Sequence, residues 1–141
     1  MPVPKTLEAR RYYRVALQRL EDGRLLFGTL ERYPAAIYLA GYGVECILKA
    51  LILTCVPAAR HALVLRDDFR GGRGHDVTWL RERLLSVGGP RFPSMILRDL
   101  TFVSTWSVDL RYTPGMGDRE EAREFLEAVQ RIVAFCDARL G

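Results

Sequence analysis

Residues 33–54 read YPAAIYLAGYGVECILKALILT, a run that is apolar almost all the way round. A helix without a polar face belongs at the centre of a helical domain, with neighbours on every side. Pro34 suits its first turn, where a missing N–H has no helical partner to lose. Ala36, Ala40, Gly41 and Gly43 leave room for adjoining helices to come close. Each helical glycine costs about 1 kcal/mol relative to alanine, so close packing must compensate. Two charges interrupt the run, Glu45 and Lys49, four residues apart and therefore on one face. On an open surface such a pair stabilises a helix by about 0.2–0.5 kcal/mol. In a core it carries a desolvation cost on the order of several kcal/mol per ion unless other groups satisfy it. The rest of the helix is too apolar for that face to be openly solvated. Glu45 and Lys49 are therefore expected in a polar cluster with His75, Arg111 or Tyr112, each of which stands at a polar break.

The flanking sequence also reads as helix. Thr6 is a predicted N-cap with Glu8 in the first turn, and Tyr13, Ala16, Leu17 and Leu20 recur at helical spacing. That helix is expected to run to about Leu30 and turn at residues 31–33 into the central one, as its antiparallel neighbour. Cys55-Val56-Pro57 ends the central helix. A polar, irregular segment then extends to Gly74, with His61 expected in solvent. Asp76 caps a third helix carrying Val77, Leu80, Leu84 and Val87, which Gly88-Gly89-Pro90 stops. Pro93-Ser94 opens a fourth, with Ile96, Leu100 and Val103 inward and Trp106 at its end, followed by a linker holding Arg111 and Tyr112. Asp118 with Glu121 three residues later has capping-box spacing. Behind it Ala122, Phe125, Leu126, Val129, Ile132, Val133 and Cys136 form one stripe, with Glu127–Arg131 as its solvent-side support. The pattern predicts an all-α antiparallel bundle of four to five helices.

A chain of 141 residues is expected to form one domain, residues 1–141, with a real core. The net charge is +4, and of the 21 basic residues only Lys5 and Lys49 are lysines. This bias reads either as phosphate or carboxylate recognition, which arginine's planar fork suits, or as a product of codon composition. Arg70 and Arg73 in the polar segment read either as a guanidinium-lined phosphate site or as solvated loop charges. His75, one residue before a helix cap, reads either as a packing residue or as a proton-transfer or phosphate-contacting group. Cys46, Cys55 and Cys136 have neither metal-ligand spacing nor an even-numbered framework, which predicts free thiols in a reducing cytosol. No glycine loop, zinc spacing or paired-carboxylate signature calls for a cofactor or metal, and none is expected. The first ten residues hold no apolar signal core. The central run is interrupted by two charges that make membrane insertion costly, so no membrane partner is expected.

GYGVECILKA preceded by PAAIYLA, GHD at 74–76, and W-x4-RY at 106–112 together resemble the HEPN domain family of small prokaryotic proteins. The resemblance implies a HEPN-like bundle and a cytoplasmic homodimer. It also implies work beside a minimal nucleotidyltransferase or an antitoxin protein, or in a defence setting. Ribonuclease members of that family carry an arginine and a histidine with four to six residues between them, which meet their counterparts across the dimer. Arg111 matches the arginine, whereas the histidine positions hold Met116, Gly117 and Asp118. A carboxylate with an ordinary pKa near 3.9 is a weak base and repels phosphate. The leading expectation is a binding module whose Arg111 and basic segment contact RNA, a nucleotide or an acidic partner, with Glu45, Lys49, Tyr112, Arg70 and Arg73 as binding residues. Two alternatives stay open: a metal-independent ribonuclease in which His75 supplies the missing imidazole beside Arg111, and a purely structural interaction protein.

Overall fold

Three side-chain caps start three of the helices where the sequence places them. Thr6 Oγ1 accepts from the Ala9 N–H at 3.4 Å, Asp76 Oδ1 from the Trp79 N–H at 3.1 Å, and Asp118 Oδ1 from the Glu121 N–H at 2.9 Å. Each satisfies one of the backbone donors that a helix start leaves unpaired. The computed structural model describes residues 4–112 and 117–140, the side chains of residues 106–112 excepted. Six α-helices occur among them: α1 (Leu7–Gly28), α2 (Tyr33–Cys55), α3 (His61–Asp67), α4 (Val77–Ser86), α5 (Ser94–Tyr112) and α6 (Arg119–Asp137). No strand is present among the described residues.

The apolar run is the central helix, as its lack of a polar face requires. It packs against α1, α6, α4 and α5, and Ile37, Val44, Ile47, Leu48, Leu51 and Ile52 are buried on its different sides. Its small residues set the distance to α1. A Cβ on Gly43 would stand 3.2 Å from the Ala16 carbonyl oxygen, and one on Gly23 would stand 3.1 Å from that of Ala36. Gly23 meeting α2 near its start and Gly43 meeting α1 near Ala16 is an antiparallel register. Dispersion over this contact compensates the helix propensity that the glycines lack. Among the described residues α2 is the one helix long and apolar enough to cross a membrane, and most of it is buried inside the bundle.

The stripe predicted on α6 is buried throughout, from Ala122 to Cys136. Its charged edge differs from the expectation. Arg131 does not pair along the helix with Glu127. It reaches α5 instead, where Nε and Nη2 donate to the two Asp99 oxygens at 2.8 and 2.9 Å. Glu127 accepts from Arg123 at 2.7 Å. A two-pronged bond to a largely buried carboxylate is stronger than an exposed pair one turn away, so the cross-helix partner wins.

The polar segment corrects the sequence reading most. It holds α3 and short 3-10 turns at Ala58–Arg60 and Gly72–His75, which raises the helix count from the expected four to five to six. His61 is not solvated but 1% exposed. Its Nε2 lies 2.8 Å from the Leu53 carbonyl oxygen and 2.9 Å from that of Val56, so Nε2 carries a proton and donates to them. These carbonyls belong to the end of α2, where a helix has no backbone donors left. Nδ1 lies 3.4 Å from Glu8 Oε2, tying α1 to the same point. The fourth helix also differs: α5 continues past Trp106, so Arg111 and Tyr112 close a helix rather than sit in a linker.

Candidate functional site

The turn Phe69–Asp76 brings His75 to the bundle, and Gly74 makes that possible. A side chain at Gly74 would collide with the Phe69 carbonyl, so only glycine lets the backbone pass there. Asp76 then caps α4, which fixes the residue before it. His75 Nδ1 donates to Glu45 Oε2 at 3.2 Å. The carboxylate is 8% exposed and the imidazole 45% exposed, so a buried anion orients a ring that reaches solvent. A carboxylate on one ring nitrogen selects the tautomer and leaves the other nitrogen for a ligand or a proton. Tyr42, one turn before Glu45 on α2, meets the His75 ring edge-on at 6.2 Å, and Tyr38 meets Tyr42 at 5.5 Å.

Lys49 lies on the same face of α2 and is 6% exposed, as is the Glu45 residue. The pair therefore occupies the interior and not a solvated face, as the helix's apolarity predicts. The ammonium does not reach His75. It lies 5.7 Å from the centre of the Tyr12 ring and 5.4 Å from that of Phe69, which are edge-on to one another. Burial lowers the Lys49 pKa from its ordinary value, while the Glu45 charge pulls it back up. Two aromatic faces offset part of the lost hydration, by about 1–2 kcal/mol in desolvated surroundings.

Arg70 and Arg73 are exposed on the turn that leads to His75, and neither forms an ion pair with a carboxylate among the described residues. Arg73 lies 5.8 Å from the centre of the Trp79 ring, which steadies its guanidinium. Arg66 and Arg83 in the same region are neutralised by Asp67 and Asp68. The side chains of Arg111 and Tyr112 lie outside the described residues, as does Met116. Of the other two positions where a histidine would stand, both are in structural use. Gly117 has φ +91°, and a Cβ there would sit 3.0 Å from Ile37 Cδ1, while Asp118 caps α6. Among the described residues no three metal-binding side chains come together.

The structure thus joins His75 to Glu45, sets Lys49 in an aromatic box beside them, and places Arg73 at the edge. Tyr42 and Trp79 escaped the sequence reading although both have a signal: Tyr42 is three residues from Glu45 on one helix face, and Trp79 follows the Asp76 cap by three. Tyr12 and Phe69 carry no such signal, because their meeting with Lys49 is set by tertiary packing alone.

No curated protein matches this chain. The crystal structure of TT1696 from Thermus thermophilus superposes with a TM-score of 0.70 at 23% identity, covering 96% of this chain and 100% of that one. At that identity the likeness is one of fold. The sequence pattern described as the HEPN domain matches residues 9–139. With the helical order, the central apolar helix and this match over nearly its whole length, the chain belongs to the HEPN domain family.

Proposed function

We propose that this chain is an anion-binding module that acts as a cytoplasmic homodimer and takes RNA or a nucleotide at the edge formed by Arg70, Arg73 and His75, with Arg111 contributing to the same ligand. The observation that carries the reading is His75 itself. Its ring is half exposed and oriented by a buried carboxylate, next to two exposed arginines that no described carboxylate neutralises. Unpaired guanidinium groups match phosphate oxygens, which accept from them, and the imidazole adds a donor when Nε2 is also protonated, since Nδ1 already donates to Glu45. A protein partner such as a minimal nucleotidyltransferase or an antitoxin would act on the same homodimer.

The contact between Glu45 and His75 favours one second reading, the metal-independent ribonuclease. A carboxylate-held imidazole is the form in which histidine moves protons in many hydrolytic sites. Arg111 would hold the phosphate, and His75 would replace the family's histidine.

One experiment separates the two. Purified protein is mixed with single-stranded RNA in chelator, and binding is followed by fluorescence anisotropy, cleavage on gels and mass by light scattering. The module reading expects a dimer and a dissociation constant of about 1–100 µM that weakens steeply with salt. Arg73→Ala and Arg111→Ala should each weaken binding several-fold, with RNA left intact. Cleavage lost in both Arg111→Ala and His75→Ala would establish the nuclease instead. His61→Ala is unsuitable as a comparison, since it removes a buried anchor of α2.

A further inference from the structure

A second polar feature adjoins this edge. Between the first turns of α4 and the middle of α5 lies a cleft of about 280 Å³. Thr78 and Arg81 line it from α4, and Thr101, Ser104 and Thr105 from α5, over an apolar floor that includes buried Leu100. Among the described residues no carboxylate lines it. Thr78 follows His75 by three residues, so the cleft begins where the edge of Arg70, Arg73 and His75 ends.

The hydroxyls are not equivalent. Thr101 Oγ1 donates to the Leu97 carbonyl oxygen at 3.0 Å, and Thr105 Oγ1 donates to that of Thr101 at 3.0 Å. With those protons committed to the helix backbone, both threonine oxygens face a ligand as acceptors. The Thr78 and Ser104 hydroxyls lie 3.2 Å apart, so one donates to the other. Arg81 supplies donors and a positive charge. The cleft therefore suits a ligand that carries O–H donors and an anionic group in alternation. A polyribonucleotide does so once per residue, through its 2′-hydroxyl and its phosphate, and DNA lacks the first.

We infer that the cleft between α4 and α5 is a ribose-and-phosphate subsite, through which this protein prefers an RNA strand to a DNA strand of the same sequence. The inference rests on the anion-binding reading above and extends it along α4. Thr101 and Thr105 accept from 2′-hydroxyls, and Arg81 contacts a phosphate.

The test compares labelled oligouridine with the matching oligodeoxyuridine, two strands that differ at the 2′ position, by fluorescence anisotropy. Wild-type protein should bind the RNA about fivefold tighter, the size of one net hydrogen bond. The double variant Thr101→Val, Thr105→Val should erase that preference and leave DNA affinity unchanged. Both residues are exposed, so the fold tolerates the change. Arg81→Gln should weaken both strands about fivefold and reduce the salt slope by about 0.7. If Arg73→Ala weakens both strands while the threonine and Arg81 variants change nothing, the cleft inference is overturned and the anion-binding edge stands. Absence of any strand binding overturns both. Ribose 5-phosphate is titrated in parallel. If it displaces the RNA at concentrations below that of the strand, through Arg81, the cleft belongs to a small sugar phosphate and the strand assignment fails.

Discussion

Glu45→Ala is expected to lower the unfolding free energy by about 3 kcal/mol, the cost of leaving a buried charge without its partner. The carboxylate holds His75 and supports Lys49, which is 6% exposed. The Tyr12 and Phe69 rings attract the ammonium by about 1–2 kcal/mol, less than the hydration it gives up. Without Glu45 the ammonium must draw in water or release its proton. Urea melts near neutral pH read the loss, and a thermal midpoint about 10 °C lower should accompany it. Glu45→Ala combined with Lys49→Met should regain most of the difference, since an apolar residue of similar shape often replaces a buried ion at no net cost. A Glu45→Ala melt that matches wild type would show that the pair contributes nothing.

Alkaline pH is expected to act more strongly still. Burial pushes the Cys46 thiol from its ordinary value of 9.0 up to about 11 and the Cys136 thiol up to about 12. In the unfolded chain both ionise from about pH 9, while in the folded chain they hold their protons. The unfolded state thus binds fewer protons, and stability falls as pH rises. The contribution is fully present below pH 9. Each thiol then removes about 1.4 kcal/mol per pH unit, or about 5 kcal/mol for the two by pH 11. Tyr12 and Tyr13, raised chiefly by burial, add to the loss above their ordinary value of 10.0. Lys49 opposes it, because its lowered pKa makes the unfolded state the better proton binder as pH approaches 10.5. Urea melts from pH 8 to 11 should show the decline, and Cys136→Ala should flatten it. A stability that is level across this range would mean the thiols are hydrated in the folded chain.

Much of the fold was legible because its signals are local. Thr6, Asp76 and Asp118 each act within three residues of themselves, and α6 repeats one apolar stripe over its full length. The central position of α2 followed from the absence of a polar face. Helix α3 was missed because seven residues give too short a period, and its buried positions are Val64 and the polar His61. His61 itself shows the limit of composition. It lies among arginines in the sequence, yet the nearest unsatisfied carbonyls are those at the end of α2. At the site, the contact of Glu45 with His75 was anticipated from two polar breaks. The Lys49 box was not, since Tyr12 and Phe69 come from other elements.

The close approach of α1 and α2 has a kinetic side. These two helices share the most extensive contact in the chain, and only residues 29–32 separate them in sequence. Loop closure over so short a span costs little entropy, so this hairpin can form before the rest of the chain is in place. The transition state for folding should therefore contain the α1–α2 contact with α4 still detached. Ala16→Gly is expected to slow refolding with a φ-value above about 0.5, and Leu84→Ala to act chiefly by speeding unfolding. The reverse order in stopped-flow measurements would place nucleation elsewhere. The same hairpin buries the apolar surface of α2 early, which shields from aggregation the segment that could least withstand exposure to water.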